Sequence, residues 1–194
     1  MPNQQVIALL RQAIALLEGP MQETPQNGTL LWGAKVSDTF KERVRWIGTE
    51  LGINPDYLMA CMAFETGEAF SPSVKNMAGS GATGLIQFMP ATARGLGTTT
   101  EAMAQMTAED QLRYVYHYFA PYKDRLNTLE DVYMAILWPR AVGQPNSYIL
   151  FSGARSTAYR QNAGLDKNRD EKITKAEAAG MVLAKAAKGE SFRG

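Results

Sequence analysis

The sequence predicts a mainly α-helical protein with little strand: one globular domain with a helix ahead of it. Apolar residues recur at helical spacing in several separate segments. Capping residues precede these segments, and Gly or Pro follows them. With 194 residues, 45% of them hydrophobic and 20% charged, the chain can bury one good core and a small appendage.

Residues 1–33 read as a helix and linker. Val6, Leu9, Leu10, Ala13, Leu16 and Leu17 mark the apolar side of that helix, and Gly19 to Gly33 reads as a linker or surface loop. A globular domain follows over 34–160. Its first helix starts near Ser37, carries Phe40, Val44, Ile47 and Leu51 on one face, and ends at Gly52. Asn54-Pro55 gives the next helix an N-cap and a proline at its first position. Residues 67–84 are glycine-rich and read as a loop with a small hairpin, and Pro90 to Ala93 opens a short helix. Thr107-Ala108-Glu109-Asp110 and Thr128-Leu129-Glu130-Asp131 look like caps of two further helices. The first of these helices buries Leu112, Val115, Tyr116 and Phe119 and ends by Pro121; Pro139 stops the second. Residues 161–194 read as a loop and a C-terminal helix, Lys175 to Lys188, packed on the domain.

Charge and cysteine content exclude several functions. Twenty basic residues oppose nineteen acidic ones, for a net charge of +1, so no basic footprint for nucleic acid is evident. The single cysteine, Cys61, cannot form an intrachain disulfide and reads as a small core residue. The single histidine, His117, has no Cys nearby, which argues against a zinc site or a Cys-His pair. The N-terminus lacks a basic n-region and a small-residue cleavage site, and no stretch approaches the length of a membrane span. The sequence therefore predicts a chain made in a cytoplasm, without a standard cleaved signal and off the membrane.

Glu65 directly follows the uncharged run Tyr57 to Phe64. On helical spacing it shares a face with Leu58, Cys61 and Met62. A carboxyl on a core-facing stripe loses solvation, which disfavours its charged form and raises its pKa. General acids near neutral pH need that property. The helix alone favours the blander reading, a carboxyl fraying into water before Gly67.

Further residues change that balance. Glu65-Thr66, then Phe70-Ser71-Pro72, then Gly84-Leu85-Ile86-Gln87-Phe88-Met89-Pro90-Ala91-Thr92-Ala93 resemble the soluble lytic transglycosylase and goose-type lysozyme group. The resemblance runs from about Ser37 to Gly143. It implies a lysozyme-like fold, α+β with minimal strand. It also implies cleavage of the β-1,4 bond between N-acetylmuramic acid and N-acetylglucosamine in peptidoglycan, with Glu65 as acid and then base and a 1,6-anhydro product. No cofactor is needed for that chemistry. Gln87 and Asn76 are the implied polar contacts to the sugar, and Met89 lines the sugar wall or packs the core.

Three departures from the family pattern stand out. Thr66 replaces a serine. The loop Gly67-Glu68-Ala69 brings a second acid near Glu65, and a Glu68 that reached the cleft would position a water for muramidase hydrolysis. Ala135-Ile136-Leu137-Trp138-Pro139 replaces the usual Ala-Tyr-Asn-Ala-Gly, so the tyrosine that orients the acid is missing. Tyr133, or a tyrosine from Tyr114 to Tyr118, is a candidate substitute, and Trp138 is a candidate stacking platform for a sugar.

Asp166 to Glu177 resembles an EF-hand calcium loop. Asp166, Asn168, Asp170, Thr174 and Glu177 offer side-chain oxygens at positions 1, 3, 5, 9 and 12, and Lys172 offers its carbonyl at position 7. Glu171 stands where glycine normally makes the sharp turn, at a cost of about 1 kcal/mol. With no second EF-hand visible, calcium here would be structural.

The leading expectation is a monomeric peptidoglycan-cleaving enzyme, either a bacteriophage endolysin or a virion-associated lysin, acting on glycan strands of the cell wall. A non-catalytic, glycan-binding phage structural protein is the first rival, and a calcium-binding regulatory module is the second.

Overall fold

The computed structural model describes residues 28–77 and 79–194, and the N-terminal helix expected over Met1 to Glu18 lies outside them. The described chain is mainly helical. Its helices are α1 (Asp38–Leu51), α2 (Pro55–Glu65), α3 (Pro90–Gly95), α4 (Thr100–Ala104), α5 (Ala108–Phe119), α6 (Leu129–Leu137), α7 (Thr157–Asn162) and α8 (Lys175–Gly189). Two short antiparallel strands, β1 (Ile149–Ser152) and β2 (Lys172–Thr174), pair Ile149 with Thr174 and Phe151 with Ile173.

The caps lie where the sequence places them. Ser37 accepts from the Phe40 N–H, Asn54 from Asp56, Thr107 from Asp110 and Thr128 from Asp131. Gly52 ends α1 at φ 66°, and a side chain there would strike the Asp124 carboxylate. Proline at the first position starts α2 without losing a hydrogen bond.

Helix α2 lies at the centre. Leu58 to Ala63 are all buried, so α2 is apolar all round and not only along the stripe read from its spacing. Helices α1, α6 and α8 pack around it. Helix α8 is also tied to α6 by a buried ion pair between Lys175 and Asp131, whose side chains are 2% and 10% exposed. The Gly143 N–H donates to the same carboxylate at 2.8 Å, and Lys175 also donates to the Gln144 carbonyl at 2.8 Å. Both charges are therefore satisfied inside the protein.

Three expectations change. The linker read up to Gly33 is core at its described end: Leu30, Leu31 and Trp32 are buried, and the Trp32 ring stacks on Phe192 at 4.8 Å. Among the described residues of 67–84 there is no strand pair, only isolated bridges from Thr83 to Lys75 and Phe88. Tyr116 is half-buried against Trp46, while Gln111 takes a fully buried place on α5.

Candidate active site

Glu65 is the last residue of α2, and part of it still reaches solvent. Its surroundings are nonetheless apolar enough that burial raises its carboxyl from the ordinary 4.5 to about 7. Tyr133 on α6 lies near enough to feel its charge. That hydroxyl is pushed up first by burial and then by the charge of Glu65. The Tyr133 ring meets Phe64 edge-on at 5.4 Å. Tyr118 on α5 also feels the Glu65 charge, and burial leads in pushing its hydroxyl up to about 12. It donates to the Ala135 carbonyl at 2.8 Å, which ties α5 to α6 beside the acid. Burial also pushes the Cys61 thiol up, with Glu65 second, so this cysteine stays an inert core residue.

Beyond Glu65 the chain turns sharply. The buried Thr66 hydroxyl donates to the Met62 carbonyl at 2.7 Å and accepts from the Phe70 N–H at 3.0 Å. Gly67, Glu68 and Phe70 have φ of 59°, 73° and 47°. The turn aims Glu68 at α8, where it pairs with Lys185 at 2.5 Å and Lys188 at 2.7 Å. Those two lysines, Lys185 first, hold the Glu68 carboxyl below its usual range. The second acid expected near Glu65 is thus ionised and bound to α8.

Gly84 to Met89 forms a loop that runs into α3. Gln111, fully buried, accepts from the Leu85 N–H at 2.7 Å and donates to the Pro72 and Met103 carbonyls, both at 3.1 Å. A side chain on Gly84, at φ 85°, would collide with Gln111. Sequence reading missed Gln111, although a glutamine four residues before Val115 on a buried helical face was a signal of it.

Of the predicted sugar contacts, Gln87 is half-buried at φ 51°. Its amide donates to the Val74 and Gly84 carbonyls, both at 3.1 Å, which leaves its oxygen as the group to offer a ligand. Asn76 is exposed, and its N–H donates to the Ala82 carbonyl at 2.9 Å. Met89 is 47% exposed, whereas Phe88 is core and meets Tyr118 edge-on at 6.0 Å. Trp138 packs edge-on against Phe151 of β1 at 5.0 Å. His117 is exposed beside Tyr116.

In the acidic loop 166–177, Arg169 and Glu171 are both at φ 61°. Asp166 accepts from the Arg169 and Glu171 N–H groups at 2.7 and 3.0 Å and from the Tyr159 hydroxyl at 2.6 Å. Asn168 accepts from the Asp170 N–H, and Asp170 from the Lys172 N–H. Glu177 closes a capping box with Thr174, and its Oε1 is buried with no hydrogen-bond partner. Among the described residues, no group of three or more His, Cys, Asp or Glu side chains is arranged to hold a metal ion. The Asp166 and Asp170 carboxylates face the loop's own backbone.

Residues 45–136 match the transglycosylase SLT domain family. Members of that family are lytic transglycosylases that cleave glycosidic bonds of peptidoglycan, and the matched domain carries that enzymatic activity. No cofactor takes part in SLT chemistry. The SLT match begins within α1 and ends within α6, so it contains Glu65, Gln87, Gln111, Tyr118 and Tyr133. Trp138, both strands and α8 lie beyond it. The helical architecture is that of a lysozyme-like fold. Comparison with curated proteins gives no match. No helix among the described residues is long and apolar enough to cross a membrane.

Proposed function

We propose that Glu65 performs lytic transglycosylation at the β-1,4 bond between N-acetylmuramic acid and N-acetylglucosamine. The carrying observation is a carboxyl raised to about 7, placed at the end of a buried helix, with its charge felt by two tyrosines. A group near neutrality holds a proton often enough to give it and loses it often enough to take another. Glu65 donates its proton to the leaving glycosidic oxygen as the bond to C1 breaks. The resulting carboxylate accepts the proton of the muramyl C6 hydroxyl, whose oxygen attacks C1. The 1,6-anhydro ring closes and Glu65 is left protonated, so no water is consumed. Tyr133 takes over the orienting role of the tyrosine absent from Ala135 to Pro139, while the Gln87 oxygen, Asn76 and Met89 contact the sugars.

Engagement of Glu68 by two lysines supports this scheme over hydrolysis, because the second acid is drawn toward α8. Mass spectrometry of the released muropeptides tests the choice. Anhydro ends are expected; reducing ends, heavier by one water, would overturn it.

A structural calcium ion in loop 166–177 is a separate proposal, supported by the orphaned Glu177 Oε1 and by the left-handed turn at Glu171. Its ligands would be the side chains of Asp166, Asn168, Asp170, Thr174 and Glu177 with the carbonyl of Lys172. Calorimetric titration should show binding and calcium should raise the melting temperature. No heat and an unmoved melting temperature at millimolar calcium would overturn it.

A further inference from the structure

Beside the catalytic helix lies a pocket of about 330 Å³ lined by Phe64, Glu68, Met181, Ala184, Lys185 and Lys188. Phe64 directly precedes Glu65, and its ring supports Tyr133. The opposite wall belongs to α8, which lies outside the SLT match. The pocket is therefore shared between the matched residues and the segment after them.

Its chemistry is two-sided. Phe64, Met181 and Ala184 supply apolar surface, and Met181 is 45% exposed. Lys185 and Lys188 supply two ammonium groups, opposed by the single carboxylate of Glu68. One positive charge is in excess. The lysines are also held in place, because Glu68 reaches them from a left-handed backbone that non-glycine residues seldom adopt. Lys188 sits in addition 5.7 Å from the Trp32 ring. Fixed ammonium groups over an apolar floor suit a ligand with carboxylates and small apolar side chains. Uncharged N-acetylglucosamine has no use for the ammonium groups.

We propose that this pocket binds the acidic peptide stem of peptidoglycan, which rests on the transglycosylase reading of Glu65. The stem hangs from the same muramyl sugar whose C1 bond is cut. A pocket one residue from the acid is where a stem on that sugar can reach. Its carboxylates meet Lys185 and Lys188, and its alanine methyls pack on Phe64, Met181 and Ala184.

The test compares peptidoglycan with intact stems against the same glycan strands stripped of stems by an amidase. In the double variant Lys185→Met/Lys188→Met, the ratio of kcat/KM for stem-bearing over stripped glycan should fall about tenfold from wild type. An unchanged ratio would overturn the proposal. Glu68→Gln removes the opposing charge and should raise that ratio; a lowered ratio would count against a stem pocket. Binding is read independently of catalysis by nuclear magnetic resonance of the wild-type methionine methyls. A soluble stem peptide with free carboxylates should shift Met181, and its fully amidated form should shift it less. Equal or absent shifts would overturn the proposal even in a protein that cleaves. Shifts of Met181 in a protein that cleaves neither substrate would overturn the catalytic reading alone.

Discussion

Glu65 and Glu68 stand three residues apart and meet opposite electrostatic fates. Glu65 ends a helix buried on every side, so desolvation raises its carboxyl to about 7. Glu68, past a glycine and on a left-handed backbone, faces two lysines that hold it ionised. Chain proximity decides neither outcome. A single turn changes which elements surround the side chain, α6 and α5 for one and α8 for the other. One acid is left protonatable near neutrality, and the other is tied to α8 by its ion pairs.

The largest expected effect breaks the first half of that contrast. Glu65→Gln should lower kcat on peptidoglycan by roughly a thousandfold or more, measured by release of soluble muropeptides. The same variant should gain stability, with a sign set by pH. Glu65 binds its proton more tightly folded than unfolded, so the native state loses stability as pH rises from about 4.5 to about 7 and stays penalised above. Glu65→Gln should therefore unfold with up to roughly 3 kcal/mol more stability than wild type at pH 8, with the gap closing near pH 4. Chemical denaturation at both pH values checks this, and a gap that widens at pH 4 would break the desolvation account.

Loosening α8 tests the other half. Lys175→Met leaves the Asp131 carboxylate uncompensated in the interior and should cost roughly 3 kcal/mol in denaturant unfolding. Tyr133→Phe is smaller: kcat should fall about tenfold with KM little changed in the same muropeptide assay. Glu68→Gln should be smallest. Its carboxyl is lowered in the folded state, so its contribution is present above the unfolded value near 4.5 and fades as pH falls through the folded one. The melting shift should stay below that of Lys175→Met and shrink further in high salt.

Much of the fold was legible because its signals are local. Ser37, Asn54, Thr107 and Thr128 each cap within three residues, and Gly52 and Pro139 end helices by their own backbone limits. Glu65 was legible for the same reason, since its neighbours on α2 already lie in the sequence beside it. What escaped depends on distant partners. Glu68 finds its lysines 117 and 120 residues away. Gln111 joins Pro72, Leu85 and Met103, contacts that no helical period announces. The all-round burial of α2 depends on α8 arriving from the far end of the chain. Strands β1 and β2 are too short to show an alternating pattern.

The seam at the chain's far end bears on how the protein is handled. Leu30 and Gly194 exchange backbone hydrogen bonds at 3.0 and 3.3 Å, and a methyl group on Gly33 would strike the Gly194 carbonyl. An affinity tag fused after Gly194 has to depart from that seam, next to the stacked Trp32 and Phe192.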